Sequence, residues 1–127
     1  FRVGKTTCVD DTYSANTDGV IAALTSLGRY HGKRILILHP LIELGDVSEE
    51  VHERLGAAAS EVCDLIIMTN DSFVESVSKG VQMRNKGVPV VIKRGKEAYL
   101  YLEETFSDKK TILFEGREAR SVLQYYG

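Results

Sequence analysis

Arg34-Ile35-Leu36-Ile37-Leu38-His39 is apolar throughout between its two basic ends. Four further segments repeat the pattern: Thr6 to Asp10, Asp64 to Thr69 (Leu65, Ile66, Ile67, Met68), Val88 to Lys93 and Thr111 to Glu115. These runs are continuous rather than alternating, which is how strands buried on both faces read, because helices cover both sides of a parallel sheet. Helical spacing lies between them. Val20, Leu24 and Leu27 stand at i, i+4, i+7, and Val51, Leu55 and Val62 at i, i+4, i+11, so each set occupies one helix face that can dock on the sheet. Asp46 with Glu49, and Ser72 with Glu75, have capping-box spacing, which predicts helix starts at both places. Gly32 and Gly87 each follow a helical stretch and precede a strand, where a positive φ is expected to end the helix. The predicted helices are Asp18 to Tyr30, Val47 to Cys63, Phe73 to Lys86, Lys96 to Phe106 and Arg117 to Tyr126. Strand and helix alternate with short connections, which implies right-handed crossovers. The predicted fold is α/β: a three-layer, doubly wound, mostly parallel sheet of five or six strands with helices on both faces, Rossmann-like in architecture.

Composition sets the outer bounds. The 127 residues, 43% of them hydrophobic and 27% charged, suit one folded domain with a real core. A net charge of -2, with Lys and Arg scattered among acids, gives no broad electropositive face, so nucleic acid is not an expected partner. No apolar stretch approaches the ~20 residues needed to cross a bilayer, and no charged-then-apolar leader opens the chain, so no membrane partner is expected. Cys8 and Cys63 fall in apolar segments and make a poor disulfide framework, which favours a reduced, cytoplasmic setting. The chain starts at Phe1, and strand and helix signals run almost to both ends, so residues 1–127 read as one domain excised from something longer.

In sheets of this kind ligands bind beyond the carboxyl ends of the strands, where loops and helix N-termini converge. The segment after the first long strand is the most informative: Asp10-Asp11-Thr12-Tyr13-Ser14-Ala15-Asn16-Thr17-Asp18. Two carboxylates, a phenol and an amide share one strand-to-helix turn, and a helix cap at Asn16 or Thr17 accounts for only one of them. The loop lacks G-x-G-x-x-G, and its acidity suits ribose hydroxyls, which donate to carboxylates, better than pyrophosphate. Gly4-Lys5-Thr6-Thr7 is not a phosphate loop, since it has no earlier glycine and no preceding strand, and it leads into a strand rather than a helix. His31, His39 and His52 are too dispersed to suggest zinc, no G-x-S-x-G elbow is present, and Cys8 reads as core.

Val9 to Gly19 resembles the segment D-D-[ST]-Y-N-A-N-P-D that opens the C-terminal domain of Mur ligases, with Ser14 in place of an Asn and Thr17 in place of a Pro. The likeness is closest to the branch that adds D-alanyl-D-alanine to a UDP-muramoyl tripeptide. Leu41-Ile42-Glu43-Leu44-Gly45, with the acidic helix behind it, is similar to the family's G-D-M-x-E-L-G, His39-Pro40 standing where the Gly-Asp would. Glu115-Gly116-Arg117 aligns loosely with a K-G-S-R stretch, an acid replacing the lysine.

The resemblance implies the C-terminal domain of an ATP-dependent amide ligase. ATP phosphorylates a substrate carboxylate, and an incoming amino acid or dipeptide attacks the acyl phosphate. A central ATPase domain absent from this chain would hold the ATP phosphates and magnesium, so this domain alone is expected to be inactive. By the same resemblance Asp10, Asp11, Tyr13 and Asn16 face the ATP ribose and base, and Glu43, Gly45 and Arg117 lie near the incoming amine. The His39-Pro40 and Glu115 departures fall in the part expected to select that amine. Two alternatives carry other chemistry: a receiver-like, magnesium-dependent phosphoacceptor built on the paired aspartates, for which Thr69, Lys93 and Glu115 are the wrong residues at the other strand ends, and a non-catalytic docking domain.

Overall fold

The computed structural model describes residues 1–14, 16–41 and 45–127. Strands β1 (Arg2–Val3), β2 (Thr6–Asp11), β3 (Lys33–Leu38), β4 (Leu65–Met68), β5 (Val90–Ile92) and β6 (Lys110–Glu115) form one sheet in the order β1-β2-β6-β3-β4-β5. Every pairing is parallel except β1 with β2. Helices α1 (Thr17–Leu27), α2 (Ser48–Ser60), α3 (Val74–Arg84), α4 (Gly95–Thr105) and α5 (Arg120–Leu123) connect or follow the strands.

Side chains alternate along each strand, so the continuous apolar runs feed two separate layers. Leu36, Leu38, Ile66, Met68 and Leu113 meet Val20 and Leu24 of α1, Leu55 of α2 and Val77 of α3. Ile35, Ile37, Ile67, Ile112 and Phe114 meet Ala98 and Leu102 of α4 and Val122 of α5 on the opposite face. The sheet is thus covered on both sides, as the sequence predicts, with each fully buried Leu or Ile contributing about 1.5–3 kcal/mol. The chain winds from β2 to β5 with α1, α2 and α3 on one face, then returns by α4 across the other and inserts β6 between β2 and β3.

Several ends differ from expectation. Gly4-Lys5 is a hairpin turn between β1 and β2, with Gly4 at φ +60, which agrees with rejecting a phosphate loop there and adds a short antiparallel strand that two residues cannot announce. Neither capping box forms. A 3₁₀ turn over Gly45–Val47 runs into α2, whose Ser48 hydroxyl donates to the Gly45 carbonyl, and the Asn70 side chain takes the Ser72 amide ahead of α3. Gly32 and Gly87 do have positive φ, but α1 ends earlier at Gly28, and α3 is closed by Asn85 in the left-handed region at φ 52. The last predicted helix is broken into a 3₁₀ turn, the four-residue α5 and another 3₁₀ turn. There Ser121 Oγ donates to the Glu118 carbonyl and Gln124 Nε2 to that of Ser121, side-chain bonds that compete with regular helical ones.

Helices α2 and α3 approach through two glycines. A Cβ at Gly56 would sit 2.1 Å from the Val77 carbonyl oxygen, and one at Gly80 1.9 Å from that of Glu53. Backbone cannot yield cheaply at such contacts, so Gly80→Ala is expected to destabilise the chain by about 2–4 kcal/mol, although alanine favours helix. Urea unfolding checks this; an unchanged or raised midpoint would show that the two helices can part.

Candidate functional site

The loop after β2 leads to α1 on one face of the sheet, and the loop after β6 leads to α5 on the other. Between two such adjacent strands the departing chain must open a crevice. A crevice of about 540 Å³ lies there, bounded by Thr12, Tyr13 and Ser14 after β2, His39 and Leu41 after β3, and the Gly116 to Arg120 segment after β6. A second, of about 510 Å³, adjoins it and is bounded by Thr69 and Asn70 after β4, Arg94 and Gly95 at the start of α4, and Ser121. His39, Arg117 and Glu118 line both.

Hydrogen bonds hold the β2 loop in shape. Thr12 donates through its amide and its hydroxyl to Asp10 Oδ1, at 3.0 and 2.7 Å, and Arg120 Nε donates to the same hydroxyl oxygen at 2.8 Å. Burial pulls the Asp10 pKa upward, but the two Thr12 bonds and the Arg120 charge outweigh it and hold the carboxyl below its ordinary value. Ser14 Oγ donates to Asp11 Oδ1 at 2.8 Å, and the Asn16 side chain accepts from the Gly19 amide as the N-cap of α1. Tyr13 is 75% exposed beside the first crevice.

Of the residues singled out from sequence, Tyr13 and Arg117 meet at one crevice, with Asp10 bonded behind it. Asp11 follows Asp10 on β2, so its side chain points to the other face of the sheet. The Asn16 amide oxygen is committed to its cap. Gly45 opens the 3₁₀ turn before α2 at φ +62 and lines neither crevice, and Glu43 lies outside the described residues. Sequence reasoning left Glu118 and Arg120 out, because nothing in the spacing of a final helix says which of its residues turn back toward the sheet. At the receiver-like position, the Thr69 hydroxyl is occupied by His39 Nδ1 at 2.7 Å.

Two titratable groups near the site, His52 and Glu115, are buried. His52 accepts the Leu41 amide at Nε2, faces the Ser48 carbonyl through Nδ1 at 2.7 Å and stacks on Phe73 at 4.1 Å. Burial lowers its pKa against the pull of the Ser48 bond, which fixes a neutral ring that ties the β3 loop to α2. Glu115 ends β6 between Asp11 and Leu38, fully buried, and neither carboxyl oxygen has a hydrogen-bond partner. Burial first, then the neighbouring Asp11 carboxyl, pushes its pKa up to about 10, so it is a neutral acid beneath the crevice at pH 7. Both cysteines are free and buried, and burial pushes Cys8 up to about 11 and Cys63 up to about 12. Among the described residues no group of three or more His, Cys, Asp or Glu side chains can hold a metal ion, and no helix is long and apolar enough to cross a membrane.

Comparison with known proteins gives the family. The family model described as Mur ligase, glutamate ligase domain, matches residues 2–117. The chain belongs to that family. It is 31% identical over 110 residues to the UDP-N-acetylmuramoyl-tripeptide–D-alanyl-D-alanine ligase of Buchnera aphidicola, a match spanning 85% of this chain and 23% of that enzyme. With the Escherichia coli enzyme of the same name it shares 39% identity over 51 residues, 40% of this chain and 11% of that one. In fold it is similar to MurF from Acinetobacter baumannii (TM-score 0.81, 22% identity, 99% of this chain and 29% of that one). It is equally similar to MurF ligase from Thermotoga maritima in complex with ADP (TM-score 0.82, 22% identity, 99% and 29%). The chain thus spans about a quarter of the length of the first relative it matches. The predicted fold class and the family resemblance both hold.

Glu115 supplies a test of the site's floor. Its folded pKa is about 10 against an ordinary 4.5, so across that window the folded state binds more protons than the unfolded state. Its contribution to stability is full below the window and declines as pH rises through it. The urea midpoint of the wild type is therefore expected to fall between about pH 6 and about pH 9 relative to that of Glu115→Gln, which keeps a neutral side chain of the same shape. Parallel pH dependence in the two proteins would show that Glu115 is ionised in the fold.

Proposed function

We propose that this chain is the C-terminal domain of a cytoplasmic, ATP-dependent amide-bond ligase of peptidoglycan precursor synthesis. It closes over ATP and positions an incoming amino acid or dipeptide for attack on an acyl phosphate. The observation that carries the reading is the crevice at the reversal of strand order, where Tyr13 of the acidic loop faces Arg117 and Arg120 in a chain of the Mur ligase family. An exposed phenol offers a flat apolar face to a purine, and Asp11, which lies outside the crevice, accepts from the Ser14 hydroxyl and so helps to hold the loop that carries it. Arg120 supplies fixed positive charge near the phosphates, where charge moves during phosphoryl transfer, and Arg117, which lines both crevices, is assigned to the incoming amine. Gly45 and Glu43 are likewise assigned to the incoming amine.

The triphosphate and magnesium are assigned to a central ATPase domain of the same protein, which also meets the UDP-muramoyl peptide. The chemistry of the donor set supports this division, since the β2 loop is acidic, with Oδ1 of Asp10 and of Asp11 accepting from Thr12 and Ser14. The domain contributes orientation, which in a two-substrate condensation supplies much of the rate.

The reading is tested by substitution in the complete polypeptide, assayed for ADP release with UDP-N-acetylmuramoyl-tripeptide and D-alanyl-D-alanine. Tyr13→Ala is expected to raise the KM for ATP roughly tenfold, an ordinary loss for one stacking contact. Tyr13→Ala should leave the melting temperature of the 127-residue domain unchanged, because the side chain is exposed. Asn16→Ala, by contrast, removes a helix cap and should lower stability by about 1 kcal/mol. Turnover by the isolated domain, or an unaltered KM in Tyr13→Ala, would contradict the proposal.

A further inference from the structure

We propose that Asp10 and Thr12 are positioning residues that aim the Arg120 guanidinium at the phosphates of the nucleotide, an assignment that rests on the amide-ligase reading above. Arg120 lines the crevice that holds Tyr13 and not the neighbouring one, so an anionic ligand seated there meets both its charge and the exposed phenol. The family resemblance sends Asp10 to the ribose or base. Its Oδ1, however, takes both donors of Thr12, so the carboxylate acts through that residue rather than on the ligand.

Chemistry fixes the direction of this relay. A guanidinium only donates, so the Thr12 hydroxyl oxygen accepts from Arg120 Nε at 2.8 Å. The single hydroxyl hydrogen is then left for Asp10 Oδ1 at 2.7 Å, and the Thr12 amide donates to the same oxygen at 3.0 Å. Thr12 itself is buried, so its hydroxyl has one setting. Because that hydroxyl stands between carboxylate and guanidinium, Asp10 orients the cation without taking up its donors. Among the described residues the relay occupies Nε alone, which leaves Nη1 and Nη2 to meet a phosphate bidentately. Glu118, the acid that lines the same crevice, faces His39 Nε2 at 3.4 Å instead.

The restraint comes from across the crevice. Arg120 opens α5, a four-residue helix set between two 3₁₀ turns, whereas Thr12 lies 108 residues away in the chain on the loop after β2. A free arginine has many rotamers that a ligand must freeze, and one clamped at Nε has already lost most of them, so less is lost on binding.

The test uses the complete polypeptide turning over ATP, UDP-N-acetylmuramoyl-tripeptide and D-alanyl-D-alanine, followed by phosphate release, with ADP and adenosine as competing inhibitors. Arg120→Ala is expected to raise the inhibition constant of ADP by about ten- to a hundredfold, an ordinary loss for hydrogen bonds to a charged group, and that of adenosine by less than about twofold. Asp10→Ala and Thr12→Val should each raise the ADP constant by about three- to tenfold and spare adenosine, while Thr12→Ser, which keeps the hydroxyl, stays within about twofold of wild type. In an Arg120→Ala background neither Asp10→Ala nor Thr12→Val should add to the loss, because both act through the arginine. Asp10 and Arg120 are exposed, so their variants carry the test if Thr12→Val does not fold. Asp10→Ala weakening ADP and adenosine alike, as a direct nucleoside contact or a merely structural staple would, overturns the proposal. So do losses that add in the double variants, or unchanged ADP inhibition in Arg120→Ala, and each of these leaves the ligase reading standing. Absence of turnover by the wild type removes that reading and this proposal with it.

Discussion

Strand β6 pairs in parallel with β2 on one side and β3 on the other, and all six of its residues are buried. Because this strand arrives last and sits in the middle, the helices leaving β2 and β6 must depart on opposite faces. Their divergence opens the crevice. The same constraint explains why the carboxyl ends of β2, β6 and β3 are crowded with groups that restrain one another. Asp10, Thr12 and Arg120 form one relay across the top of the sheet, and His39 is fixed between Thr69 and Glu118. A site built this way is preorganised by the sheet itself, which suits a domain whose task is to orient groups held elsewhere.

What could be read from sequence follows from periodicity. Continuous apolar runs and helical spacing report burial on both faces, and those signals located every long strand and the main body of α1 to α4. Helix ends were less legible because they depend on competing local bonds. Asp46-x-x-Glu49 has capping-box spacing, yet the chain enters α2 through a 3₁₀ turn, and Ser72 is drawn into a turn by Asn70. Strand β1 is too short to show any period. At the site, the acidic loop was legible as a cluster, but its internal bonding was not. Asn16 serves the helix, and Asp10 serves Thr12. The burial of Glu115 was not legible because sequence gives the residue type and not the depth, and only the pairing of β6 on both sides places it under cover.

Family membership and the two crevices together define a division of labour: a neutral buried acid below, a restrained imidazole at the junction, arginines at the walls and an exposed phenol at the mouth. They come from the ends of β2, β3 and β6, so the site depends on the strand order rather than on any one loop.

The measurement that bears most directly on the account is hydrogen exchange of the complete polypeptide with and without a non-hydrolysable ATP analogue. Slower exchange concentrated in residues 12–14 and 116–120, with the helices α2 and α3 unaffected, is the predicted pattern. Exchange in those two loops that ignores the nucleotide, with the ligand protecting only segments outside this domain, would contradict it.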